Sequence, residues 1–196
     1  MAISTYAELV TACENWLHRD GLTSRIPEFI VLAEARIGRE VKAKQMEQRV
    51  DATAASIINL PSDYVSMRAI RIRGSTIGWM EYQSPDEFFN TVASSSTSTS
   101  KKYTIFGDEL IFPITPSGDV EVWYYKKMAA LSGAVNTLFT DNPDLYLYAA
   151  LAEAAPFILN ADRTALYEAK YQSIKDSVNN AHKQGRFPSA MRVQVA

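Results

Sequence analysis

The hydrophobic period of the chain changes twice. Up to about Gln45 apolar side chains recur every three to four residues; from Glu47 to Met128 they alternate or run in short segments rich in Val, Ile and Tyr; from Asn142 the longer period returns. A period of 3.6 sets apolar residues on one stripe of a helix, and a period of two sets them on one face of a strand. The order of helices, strands and helices predicts an α+β fold that is mainly helical. Its body is a bundle of two N-terminal helices and two C-terminal helices, over 1–46 and 142–184. A small antiparallel β insertion occupies 47–141, with a short helix near 85–93 and a Ser/Thr loop over 94–102, and an extended tail follows over 185–196. With 47% apolar residues in 196, such a chain can bury a core without a metal or a disulfide. The single Cys13 excludes an intrachain disulfide and all-cysteine zinc sites.

Local signals give the elements. Thr5 and Glu8 have capping-box spacing, so a helix is expected from Tyr6 to about His18, with Tyr6, Leu9, Val10, Cys13, Trp16 and Leu17 on its buried stripe. Ser24 as cap and Pro27 in the first turn start a second helix that can reach about Gln45 and buries Phe29, Ile30, Ala33, Ile37 and Val41. Its outer faces carry Arg36, Glu40 and Lys44 at four-residue steps, a solvated face or a subunit contact. Asn142-Pro143-Asp144 caps a third helix, with Leu145, Tyr148, Ala149 and Ala152 along one face. Pro156 should kink or stop it near Ala155. Asp162 can cap a last helix with a seam of Tyr167, Tyr171, Ile174, Val178 and Ala181, closed by Gly185.

Strands are expected at 48–52, 56–60, 65–73, 77–82, 103–106, 109–114 and 119–127, with Phe106-Gly107-Asp108-Glu109 as a hairpin turn. Arg68 is out of phase with Arg71 and Arg73, so a two-sided strand begins only near Ala69. The hydroxyl-rich run SSSTSTS, residues 94–100, has little apolar surface and is expected to be a mobile loop.

The charges nearly balance, twenty Lys and Arg against twenty-two Asp and Glu, so no global positive field draws the chain to nucleic acid. The opening MAISTYAELV has no basic segment or long apolar run, and no stretch approaches a membrane span, so a soluble protein of a reducing cytoplasm is expected. His18 and His182 have no companion ligands at metal spacing, and no phosphate loop, dinucleotide fingerprint, nucleophile elbow or zincin motif occurs. Cys13 is read as core rather than nucleophile because an apolar stripe raises a thiol pKa. Glu153, in an alanine-rich stretch, is either a catalytic acid or the partner of an Arg or Lys on an adjacent helix or subunit, the second being favoured. Arg68, Arg71 and Arg73 lie near Asp63, Glu81 and Asp86 in sequence, which predicts a mixed surface. The aromatic strand Trp123-Tyr124-Tyr125 resembles a base-stacking platform but is read as a sheet wall.

Three blocks carry a resemblance: RIPEFIVLAEARIGREV at 25–41, INLPSDY at 58–64 and NPDLYLYAALAEAAPF at 142–157. With the order of elements they make the chain similar to bacteriophage head-to-tail adaptors, the connector subunits of short-tailed and related tailed phages. The resemblance implies a virion protein of the neck, assembled in the bacterial host cytoplasm. Its copies, usually twelve, form a ring docked under the portal protein. The ring continues the channel through which double-stranded DNA passes without sequence-specific binding, and it presents a platform for a downstream tail or nozzle protein. It implies no cofactor, no membrane partner and no catalysis. In such adaptors the C-terminal segment commonly reaches the portal, which points to Arg186, Phe187, Met191, Arg192 and Val193, a tail suited to folding on binding. A closed ring needs two complementary side faces, for which Arg36, Arg39, Glu40, Lys44 and Glu153 are candidates. Ser96, Ser98, Lys101 and Lys102 are candidates for a loop facing the channel or the tail.

Two other readings stay open. A DNA-binding accessory protein would use Arg25, Arg36, Arg39, Lys42, Lys44 and Arg49, though Glu28, Glu34, Glu40 and Glu47 interleave with them. A carboxylate-dependent cell-wall hydrolase would use acids such as Glu34, Asp63 or Glu153.

Overall fold

The computed structural model describes residues 3–18, 21–74, 78–92, 101–158 and 161–186. Over these residues the chain is mainly helical with small sheets, and it divides into two units, Met1–Met46 with Met128–Ala196, and Glu47–Lys127.

The helical unit is built around α5 (Pro143–Phe157), which touches α1 (Tyr6–Leu17), α2 (Ile26–Glu40), α4 (Thr137–Asp141) and α6 (Ala161–Arg186). The sequence predicts one buried face for α5, but Leu145, Tyr146, Leu147, Ala149, Ala150, Leu151 and Ala152 are all buried, and Tyr148 between them is partly buried. A helix covered on all sides needs no polar face, and its alanines let neighbours approach closely. Pro156 lies one residue from the end of α5, so the helix stops two residues after Ala155, and the hydrogen bond that the proline cannot give to the turn before it is lost only in the last turn. Asn142 precedes α5, yet its side chain donates back to the Leu138 carbonyl rather than capping the helix.

Thr5 and Glu8 form the reciprocal capping box at the start of α1, and His18 closes that helix in the left-handed region at φ 48°. Arg163 Nη1 donates to the Leu17 carbonyl and Tyr167 Oη to the Trp16 carbonyl, so α6 satisfies the end of α1. The α2 helix departs from expectation at both ends. Arg25, not Ser24, is the residue before its first turn, and no side chain caps it. It stops at Glu40 because Asn179 of α6 takes over there: Asn179 Nδ2 donates to the Glu40 carbonyl and Asn179 Oδ1 accepts from the Lys42 N–H. Val41 is extended and Lys44 falls in a 3₁₀ turn, so Lys44 is not one more four-residue step on the Arg36–Glu40 face.

Residues 128–141, expected in the β insertion, belong to the helical unit. Asn136 caps α4 through the Phe139 N–H, accepts from Tyr146 Oη and donates to the Ala129 carbonyl, while Glu34 of α2 accepts from the Leu131 N–H. Likewise α6 continues through Gly185 to Arg186 instead of ending at the glycine.

The β unit holds two sheets, β1-β7-β3 and β2-β6-β5-β4, made of β1 (Glu47–Ala52), β2 (Ile57–Asn59), β3 (Tyr64–Ile72), β4 (Glu81–Tyr82), β5 (Lys102–Phe106), β6 (Glu109–Ile111) and β7 (Val120–Lys126). All pairings are antiparallel except β4 with β5, which is parallel. Ile70, Ile72, Tyr103, Leu110, Val120 and Val122 form the core of the unit. Gly107, at φ +60°, holds the first central position of the two-residue β5–β6 turn, where a type II′ hairpin requires it. The phase shift at Arg68 has a cause: the β3–β7 register slips between Met67 and Ala69, a bulge that adds one residue. A short helix, α3 (Pro85–Val92), lies against β5.

Candidate functional site

The densest group of interacting charges in the helical unit centres on Arg36, whose side chain is 16% exposed. Its guanidinium forks onto Glu168 of α6, Nη1 to Oε2 at 2.9 Å and Nη2 to Oε1 at 2.5 Å. Nε reaches Glu40 at 3.2 Å and Nη1 reaches Glu153 of α5 at 3.4 Å. The Tyr171 ring lies 4.3 Å from the guanidinium carbon, and Tyr171 Oη donates to Glu40. Lys175 adds a second cation to Glu40 at 3.5 Å. One planar cation so joins α2, α5 and α6, a geometry that only arginine offers. The Arg36 pKa is raised, chiefly by the hydrogen bond to Glu168, and Glu168 is held below the usual carboxylate range by the same bond. Burial pushes the Cys13 thiol up to about 12, which fits a core thiol and not a nucleophile.

The β unit groups its charges differently. Glu121 of β7 has a side chain only 4% exposed and receives Arg71 at 2.5 Å, Arg49 at 3.4 Å and Arg73 at 3.5 Å. Asp51 of β1 pairs with Arg49 and Arg73, and Arg68 pairs with Glu47. Trp123 lies among them, with Arg49 and Arg68 each 5.8 Å from its ring, and Arg71 stands 5.8 Å from the ring of Trp79. The surface is mixed, but the acids that meet Arg68, Arg71 and Arg73 are Glu47, Glu121 and Asp51 and not Asp63, Glu81 and Asp86, in an ordered ladder with indoles between. Glu121, its central residue, has no signal in the sequence beyond its place in an alternating strand.

The structure brings together Arg36, Glu40 and Glu153, and it adds Glu168, which sequence reading missed because 132 residues separate it from Arg36. Arg39 and Lys44 are exposed and stand apart from that cluster. Lys44 borders an open groove of about 470 Å³ shared with Asp141, Val178 and His182. Lys101 is exposed and Lys102 opens β5 opposite Glu81. Ser96, Ser98, Phe187, Met191, Arg192 and Val193 lie outside the described residues; Arg186 ends α6.

The acids of the hydrolase reading have structural partners: Glu34 accepts from Leu131, Asp63 from Tyr124 Oη at 2.9 Å, and Glu153 from Arg36. Three of the six basic residues of the DNA-binding reading are held by acids, Arg25 by Glu28, Arg36 by three carboxylates and Arg49 by Asp51 and Glu121, while Arg39 and Lys44 are exposed. Among the described residues no three His, Cys, Asp or Glu are grouped to hold a metal, and no helix is long and apolar enough to cross a membrane.

Large apolar side chains meanwhile remain at the surface of both units: Val31 and Leu32 on α2, Phe157 and Leu166 in the C-terminal helices, Trp79 and Phe106 in the β unit. Of these, Val31 and Leu32 adjoin on one helix and are available for contact with another protein. The chain matches the SU10 adaptor protein family over residues 4–194 and is a member of it. No curated protein matches it.

Proposed function

We propose that this phage adaptor works as one subunit of a closed ring beneath the portal protein, at the neck of the virion, and is assembled in the host cytoplasm. The observation that carries this reading is the family match over nearly the whole chain. The ring continues the DNA channel and carries the next tail or nozzle component. A near-neutral net charge of −2 suits a conduit along which the duplex slides, since a strongly basic wall would hold it through counterion release.

The outer face of α2 supplies one side of the ring contact. Val31 and Leu32 are more than half exposed, with Glu28 before them and Arg39 after them on the same face and Lys44 beyond. Arg36, Glu40 and Glu153 support that face from within by fixing α2 on α5 and α6. The C-terminal segment with Arg186, Phe187, Met191, Arg192 and Val193 binds the portal, which supplies the core that so short a segment lacks. The stretch with Ser96, Ser98, Lys101 and Lys102 faces the channel or the tail.

Mixing the purified chain with the portal of its own phage, followed by electron microscopy, tests the reading. Rings seated on the portal are expected, and deletion of 187–196 is expected to abolish their attachment. A wild-type chain that never associates with the portal overturns it.

A further inference from the structure

The β unit has two outer faces of unlike chemistry on opposite sides of one core. Because Val120, Val122, Ile70 and Ile72 of one sheet and Tyr103 and Leu110 of the other are buried together, strand alternation turns Arg49, Arg71 and Glu121 outward on the first sheet and Phe106 and Glu109 outward on the second.

On the first face three guanidinium groups share two carboxylates. Arg49, Arg71 and Arg73 remain 43%, 48% and 47% exposed while bound to Glu121 and Asp51. Each guanidinium carries five N–H donors, so the set keeps spare donors and one net positive charge. Trp79, 56% exposed, stands beside Arg71 with its ring edge-on to Trp123. The second face ends in the β5–β6 hairpin. Phe106, at 63%, is the most exposed large apolar side chain among the described residues. Next to it Asp108 and Glu109 are exposed and take part in no ion pair among the described residues.

One face offers cations around an exposed indole, and the other offers carboxylates beside an exposed phenyl ring. We infer that the β units of successive copies join head to tail, the Phe106/Asp108/Glu109 hairpin of one copy docking on the Arg71/Arg73/Trp79 face of the next. The inference rests on the ring reading and adds to the α2 face a second contact between successive copies, made by their β units. A second copy is the fitting occupant because both halves occur once in every chain, so each copy gives one contact and receives one, as the head-to-tail contacts of a ring require. Pairing like faces about a two-fold axis would set arginines against arginines or acids against acids. In the head-to-tail contact Phe106 covers Trp79, and the free carboxylates take up the spare guanidinium donors.

The test uses the full chain in portal-bound rings. A variant with both Asp108→Cys and Arg73→Cys, mildly oxidised, is expected to give a ladder of covalent trimers and larger species on a non-reducing gel. Each single-cysteine variant gives nothing beyond a dimer, since Cys13 is buried. Asp108→Lys with Glu109→Lys, on an exposed hairpin where folding is not at stake, is expected to raise at least tenfold the chain concentration needed for half-complete rings. Rings that form at the wild-type concentration with the lysine variant, and that yield no ladder with the cysteine pair, overturn this contact and leave the ring reading standing. Failure of the wild-type chain to form rings overturns the ring reading and this contact with it.

Discussion

The two units use the same ion chemistry with opposite burial. In the helical unit the buried partner is the cation: Arg36 is 16% exposed and collects three carboxylates from α2, α5 and α6. In the β unit the buried partner is the anion: Glu121 is 4% exposed and collects three arginines whose outer halves face solvent. A buried hub that binds several elements acts as an internal tie, because removing it strands charges that have already lost water. A buried hub that holds several exposed partners acts as a mount, fixing long side chains in one geometry and reducing the entropy they would lose on meeting a ligand. The helical hub turns its charge inward, and the β hub leaves guanidinium groups facing solvent.

The strongest way to break this comparison is to remove the helical hub. Arg36→Ala leaves Glu40 with Lys175 and Tyr171, Glu168 with Gln172, and Glu153 without its arginine, and the expected loss of stability is about 2–3 kcal/mol by analogy with broken, partly buried ion pairs. Urea denaturation measures it. Arg36→Lys should recover less than half, since one ammonium cannot fork onto Glu168 and reach two further acids. A variant Arg36→Ala with an unchanged urea midpoint would show that the cluster ties nothing.

Acid sharpens the comparison at a smaller scale. Glu168 is held below the usual carboxylate range chiefly by Arg36, Glu121 chiefly by Arg71, and Asp51 chiefly by Arg49. A carboxylate whose pKa is lower in the folded chain than in the unfolded one stabilises the fold fully above the unfolded value, about 4.3 for Glu. That contribution is lost as pH falls through the lowered folded value. Both units should therefore weaken below about pH 4. They should differ in salt dependence, because ions screen exposed arginines more than a covered one. Trp16 reports the helical unit and Trp79 with Trp123 the β unit. Fluorescence of Trp16→Phe and of Trp79→Phe/Trp123→Phe variants is expected to show an acid midpoint that moves with salt in the β unit and stays put in the helical one. Equal movement in both would erase the distinction.

What the sequence made legible follows the range of the forces involved. The capping box at Thr5 and Glu8 and the Gly107 hairpin are local, and each is found where its residues predict it. The mismatch at Arg68 was visible as a break in alternation, and the bulge explains it. Some misread features are local, such as the caps expected at Ser24 and Asn142, the second of which donates back to Leu138, and others depend on residues far along the chain. The end of α2 is set by Asn179, and the buried outer sides of α5 by the helices packed around it. The candidate cluster was half legible: Arg36–Glu40 has helical spacing, and Glu153 stood out among alanines, but Glu168 looks like any other acid on a polar helix until α6 lies beside α2. Glu121 is hidden for a similar reason, since an acid in a Val-, Tyr- and Trp-rich strand becomes a hub only when β1 and β3 bring arginines to both of its flanks.

The smallest expected effect is the most discriminating. Arg71→Ala removes the closest of the three cations from Glu121, yet Arg49 and Arg73 remain on the same carboxylate and the lost side chain was half exposed. No resolvable change in the urea midpoint is expected, as for most exposed ion pairs. Ring formation should nevertheless weaken, because the spare donors of Arg71 and its place beside Trp79 belong to the displayed face. Arg36→Ala should lower both, costing stability directly and weakening assembly with it, because the same hub fixes the α2 face. Measuring midpoint and ring formation for both variants gives a two-by-two comparison. If Arg71→Ala lowers both together, Glu121 is a structural hub like Arg36 and the display argument fails; if it lowers assembly alone, burial of the anion is what distinguishes a mount from a tie.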